Sequence, residues 1–143
     1  MRRGMTLLEL VVVIVILGLL AAITLPRLGR PLATITVEQE AQRIARAHVR
    51  ARMRALAANR LAVLHILPES LSIGLVEDRD TLPDWRESGP ATRGVTLSGP
   101  TRSVLVAPTG IGMGVSNGTW TVEYRGVRRS VVLSRLGRVR IQR

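Results

Sequence analysis

The sequence predicts an α+β chain in which a long apolar N-terminal helix precedes an amphipathic helix and an antiparallel β-sheet packed on it. Three observations carry this reading. An apolar stretch runs from Met5 to Leu25, helical periodicity governs residues 37–59, and beyond Arg60 the chain breaks into short β-branched runs separated by Gly and Pro. The 143 residues leave room for one small folded domain once the apolar stretch is set aside. Phe is absent and aromatic residues total 2%, so the core must be built from Val, Ile, Leu and Ala.

Taking the elements in order, the stretch from Met5 to Leu25 reaches the roughly 20 residues that a helix needs to cross a bilayer. A secretory signal is the competing reading, but Leu19-Leu20-Ala21-Ala22 lacks a small-x-small cleavage site. Glu9 is the informative residue. An ionised carboxylate in an apolar helix costs several kcal/mol unless partnered, which makes it a functional candidate. Arg2 and Arg3 precede the stretch, and Arg27 and Arg30 follow it, so counting basic flanks gives no orientation.

Pro26 and Pro31 bracket the next segment and predict a kink or break. Thr36-Val37-Glu38-Gln39 has the capping-box pattern and predicts that a helix restarts there, with Glu38 and Glu40 near its positive end. Val37, Ala41, Ile44, Ala45, His48, Ala51, Ala55 and Leu56 share one face. Opposite lie Arg43, Arg46, Arg50 and Arg54, a basic stripe read as a solvated face or, failing that, a partner contact. His48, on the apolar side, reads as a satisfied core histidine.

Strands are predicted at Ala62 to Leu67, Ser72 to Glu77, Gly94 to Ser98, Ser103 to Ala107, Thr119 to Tyr124, Val127 to Ser134 and Arg138 to Ile141. Arg125-Gly126 and Leu136-Gly137 supply tight connections. Glu77 to Gly89, acidic and containing Pro83, reads as an exposed loop.

All 21 basic residues are Arg, against 10 acids. A GC-rich genome explains Arg in place of Lys, but not the distribution. Leu61 to Pro90 is net acidic, whereas Ala91 to Arg143 has Glu123 as its sole acid among nine Arg, which favours a basic C-terminal surface.

Arg3-Gly4-Met5-Thr6-Leu7-Leu8-Glu9-Leu10 resembles the processing site of type IV prepilins and pseudopilins. The resemblance implies cleavage by a prepilin peptidase after Gly4, N-methylation of Met5, and pairing of Glu9 with the new amine during assembly. Met5 departs from the usual Phe. It further implies a leader (1–4), a transmembrane and assembly helix (5–25), a kink and amphipathic helix (26–60) and a periplasmic β domain (61–143), held in a bacterial inner membrane by a single pass. The helix from Ala41 to Arg60, the strand after it and the ending Val131 to Ile141 look like the minor-pilin family that joins GspH of type II secretion with FimT of type IV pili. The fold implied is type IV pilin-like.

Within that family, Gly137-Arg138-Val139-Arg140 matches a motif associated with DNA binding in natural transformation. Alternate strand residues would place Arg138 and Arg140 about 7 Å apart on one face, near the spacing of backbone phosphates. Arg128, Arg129, Arg135 and Arg143 would enlarge that surface. Two functions remain: a minor pseudopilin in the assembly or tip of a secretion pseudopilus, which is preferred as the simpler, or a pilus-borne DNA receptor. Expected partners are the peptidase, other pilins or pseudopilins, membrane lipid and, for the second function, DNA.

An enzyme is not expected. Cys is absent, and Ser, His and Asp form no nucleophile motif. No cofactor or metal is expected either, since Glu69, Glu77, Asp78, Asp80 and Asp84 lack EF-hand spacing.

Overall fold

The computed structural model describes residues 6–24, 29–77 and 80–143. Its first helix, α1 (Leu7–Thr24), begins where Thr6 accepts a hydrogen bond on its side-chain Oγ1 from the Glu9 N–H, at 3.2 Å. Thr6-x-x-Glu9 thus has the capping-box spacing, with Thr6 as cap and Glu9 in the first turn. From Leu7 to Ile23 every side chain is exposed. Among the described residues no helix is long and apolar enough to cross a membrane. At 18 residues α1 spans about 27 Å, against a hydrocarbon core of about 30 Å. The apolar stretch of the sequence continues at both ends into residues outside the described set, as do Pro26 and Arg27.

The second helix, α2 (Gly29–Ala58), starts earlier than the sequence implies. Pro31 is its third residue, within the first turn, where its missing N–H would have had no intrahelical partner. Thr36 therefore does not cap. Its hydroxyl donates back to the Leu32 carbonyl at 3.0 Å, a mid-helix bond, and Glu38 and Glu40 lie too far along to feel the helix start.

Ala33, Val37, Ala41, Ile44, Ala47, His48, Ala51 and Ala55 are buried, a stripe whose small residues let strands approach closely. Leu56, expected on that face, is 44% exposed. It belongs instead with Leu32, Ile35, Val49 and Met53 on an uncovered apolar side.

Among the described residues nine strands follow, in two antiparallel sheets rather than the one expected. β1 (Ala62–Ile66), β2 (Ser70–Glu77), β3 (Asp80–Ser88), β5 (Val104–Val106) and β6 (Gly112–Met113) form the first, in the order β3-β2-β1-β5-β6. β4 (Thr96–Ser98), β7 (Gly118–Tyr124), β8 (Val127–Leu133) and β9 (Val139–Gln142) form the second, in the order β4-β7-β8-β9. Both pack on α2 and share one core, in which Ile44, Leu64, Ile73, Trp120, Val131 and Leu133 are buried. Trp120 satisfies its indole N–H on the Pro100 carbonyl at 3.2 Å. Val131 and Leu133 on β8 alternate inward with Trp120 and Val122 on β7.

β3 lies in the segment read as a loop. It is an edge strand, exposed along most of its length, and its acids and Pro83 are residues that edges tolerate. The register shifts between Ile73, opposite Trp85, and Gly74, opposite Pro83, which leaves Asp84 as the extra residue of a β-bulge.

Candidate functional site

Two regions carry the residues singled out in the sequence: the start of α1 and the outward face of the second sheet. Gly4 and Met5 lie outside the described residues. Glu9 is described, in the first turn of α1 and exposed. The capping bond from its own N–H to Thr6 holds Glu9 in the opening turn, at the positive end of the helix, where the N–H groups lack intrahelical partners. Thr6 was legible in the sequence as the first half of a Thr-x-x-Glu pattern.

On the second sheet, period-two alternation separates residues that the sequence reading had grouped. Arg128 points outward, where its Nε donates to Glu123 across the strand pair at 2.7 Å. Arg129, the next residue, points inward. It is 16% exposed and donates to Glu38 of α2 at 3.2 Å. Adjacent strand residues cannot serve one face, so Arg129 ties the sheet to the helix and is no part of the outer surface.

Arg138 and Arg140 are both exposed, with no ion pair among the described residues. Arg140 sits opposite Val132. Arg138 immediately precedes β9, where its carbonyl accepts the Ser134 N–H at 2.8 Å, so the strand begins one residue later than expected. The two flank a shallow depression floored by Val132 and Ser134. Arg135 and the terminal Arg143 are exposed as well. The outward face therefore holds unmatched cations at Arg138 and Arg140, and one neutralised at Arg128.

Gly137 has a structural task. Its φ of 77° is left-handed, and a Cβ there would lie 3.1 Å from the Gly110 carbonyl oxygen and 3.3 Å from the Arg52 guanidinium. The Gly of the Gly-Arg-x-Arg sequence is thus required by the turn and by its approach to α2, whatever the arginines do.

The arginine stripe of α2 is solvated at Arg46, Arg50 and Arg54, as expected, but three of its members also reach acids or a ring on β3, and Arg43 is only 11% exposed. Arg43 donates through Nη1 to both oxygens of Glu40, at 3.1 and 3.0 Å, and its Nη2 pairs with Glu87 of β3. Arg54 pairs with Asp84 at 3.1 Å, and the Arg50 guanidinium lies 4.6 Å from the centroid of the Trp85 ring. The bulge accounts for this, because it turns neighbouring residues Asp84 and Trp85 both toward the helix. Glu40 is 2% exposed and also accepts from Arg93 at 3.2 Å. Burial alone would lower the Arg43 pKa, but its hydrogen bonds to Glu40 and Glu87, with their charges, raise it above the ordinary value.

His48 is buried, but its Nδ1 has no hydrogen-bond partner among the described residues, contrary to the expected satisfied histidine. Burial, reinforced by the Arg52 charge, lowers its pKa. Among the described residues no group of three or more His, Asp or Glu comes together to hold a metal. Of the acids considered for calcium, Glu77 pairs with Arg60 and Asp84 with Arg54, and Asp78 lies outside the described residues.

Residues 1–25 match the prokaryotic N-terminal methylation motif. The type IV minor pilin FimU of Pseudomonas aeruginosa superimposes with a TM-score of 0.63 at 17% identity, over 75% of this chain and 88% of that one. The chain has the type IV pilin-like fold. The minor pseudopilin EpsH of the Vibrio cholerae type II secretion system superimposes with a TM-score of 0.59 at 13% identity, over 74% of this chain and 95% of that one. A second EpsH structure gives 0.60 at 12% identity, over 76% and 94%. These neighbours are described as pilin or pseudopilin subunits, none as an enzyme. No curated protein matches the sequence.

Proposed function

We propose that this protein is a minor pseudopilin, a structural subunit in the assembly or tip of a type II secretion pseudopilus, anchored in the bacterial inner membrane with its β domain in the periplasm. One observation carries the reading: a helix that begins in an N-terminal methylation motif exposes every side chain from Leu7 to Ile23. That apolar surface finds no cover among the described residues, and lipid followed by neighbouring subunits would supply it. The peptidase would cut after Gly4 and methylate Met5. Glu9, in the opening turn, would pair with the new amine, a pairing that spares both groups an isolated charge in lipid. The uncovered apolar side of α2, from Leu32 to Leu56, extends the surface available to neighbours beyond α1.

A second reading, a FimT-like minor type IV pilin that binds DNA during uptake, is favoured by the unmatched, outward Arg138 and Arg140. Against it, Gly137 is accounted for by the turn, and Arg128 and Arg129 are engaged by acids. Deleting the gene and scoring exoprotein release and transformation separately distinguishes the two. Lost release with intact transformation supports the secretion reading, and the converse overturns it. In parallel, duplex DNA binding by the full chain over a salt series tests the arginines. If they hold phosphates, binding falls steeply with salt and Arg138→Gln with Arg140→Gln flattens that slope by about 2 units. Binding absent, or indifferent to both salt and substitution, removes the DNA reading.

A further inference from the structure

Where α2 crosses the edge strand β3, a groove of about 280 Å³ is lined by Arg43, Arg46, Ala47, Arg50, Trp85 and Glu87. Its charges do not balance. Glu87 is taken by Arg43, which leaves Arg46 and Arg50 facing the groove without an acidic partner among the described residues, Arg50 held flat against Trp85. Four residues apart on a helix, Arg46 and Arg50 are offset by about 6 Å along its axis. The other wall is a strand with one sheet neighbour among the described residues, β2, so its outer edge has no strand partner there; the Ser88 carbonyl accepts from Arg43 at 2.7 Å, the Thr81 N–H donates to Asp80 at 2.7 Å, and Pro83 has no N–H to offer. An added extended segment would find hydrogen-bond partners there, and its alternate side chains would stand about 7 Å apart, close to the Arg46 to Arg50 offset. A polyphosphate has no backbone N–H or C=O to pair with that edge and would engage the arginines alone.

We infer that the groove between α2 and β3 binds an extended acidic segment of a partner protein, whose backbone adds to the free edge of β3 while two alternate carboxylates pair with Arg46 and Arg50 beside Trp85. The site is separate from the outer arginine face and does not depend on the secretion reading.

The test uses the full chain in detergent micelles and a fluorescently labelled eight-residue peptide of alternating Glu and Thr. A Gln-for-Glu peptide serves as control and a short DNA duplex as competitor. The inference requires saturable binding of the Glu peptide, at least tenfold weaker binding of the Gln peptide, and a similar loss in the Arg46→Gln, Arg50→Gln double variant. It also requires slowed amide exchange over residues 80–88 in the complex. No binding, equal binding of the two peptides, unchanged exchange in β3, or displacement of the peptide by the duplex overturns it. Should the double variant melt early, Arg46→Gln alone carries the test, since that side chain is exposed and makes no hydrogen bond or ion pair among the described residues.

Discussion

The two helices of this molecule both carry apolar residues and use them in opposite ways. In α2 one face is buried under both sheets, with Ile44 fully covered, whereas in α1 every residue from Leu7 to Ile23 is exposed, Ile14 at 59%. Burial within the chain stabilises the monomer. Apolar surface left outside it can gain free energy only from an environment the monomer does not provide, so α1 adds little to domain stability and, on the proposed function, would serve membrane residence and assembly.

The sharpest way to break this comparison is to make the same substitution in both helices. Ile44→Ala removes packing at the centre of the core and should cost about 2–5 kcal/mol in urea unfolding of the detergent-solubilised chain. Ile14→Ala should leave the unfolding midpoint of the β domain unchanged. Equal losses would show that α1 packs on the domain after all.

Next in size is the ionic anchor of α2. Glu40→Ala leaves Arg43 half-buried without its buried carboxylate partner and should lower stability by about 3 kcal/mol, measured by the same unfolding. A change under about 1 kcal/mol would mean that Glu87 suffices to hold Arg43.

The smallest effect is titration of His48. Its folded-state pKa lies below the unfolded value near 6.5, so between the two the unfolded chain binds more protons. The stability gained by keeping His48 neutral is thus full above about pH 6.5 and declines as pH falls below it, by at most about 1.4 kcal/mol per unit. His48→Gln should flatten that dependence between about pH 6.5 and 5, where the other acids have barely begun to titrate. An unchanged slope would place the titrating group elsewhere.

What the sequence made legible follows from the same contrast. Periodicity is local, so α1, the buried face of α2 and seven of the nine strands could be read from runs of residues. Partners distant in sequence could not. β3 was hidden because its acids and Pro83 look like a loop until β2 and the α2 arginines are placed beside it. β6 comprises only Gly112 and Met113, too short for any pattern. Glu40 looked like a helix-start acid, and only Arg93, 53 residues away in sequence, shows why it is buried. The capping signal at Thr36 was overridden by a helix already nucleated upstream, while that at Thr6 was passed over beside the more conspicuous Glu9. At the candidate site, the arginines themselves were visible, but their sorting into inward Arg129, neutralised Arg128 and unmatched Arg138 and Arg140 depends on strand register.

The central claim, that α1 is a processed anchor whose apolar surface is covered outside the chain, is tested most directly by the intact mass of the protein recovered from membranes of cells that contain a prepilin peptidase. The account predicts a chain that begins at Met5 and carries one added methyl group, found in the membrane fraction. A chain that retains Met1 to Gly4, or one that begins after Ala22 and is found free of the membrane, would contradict it.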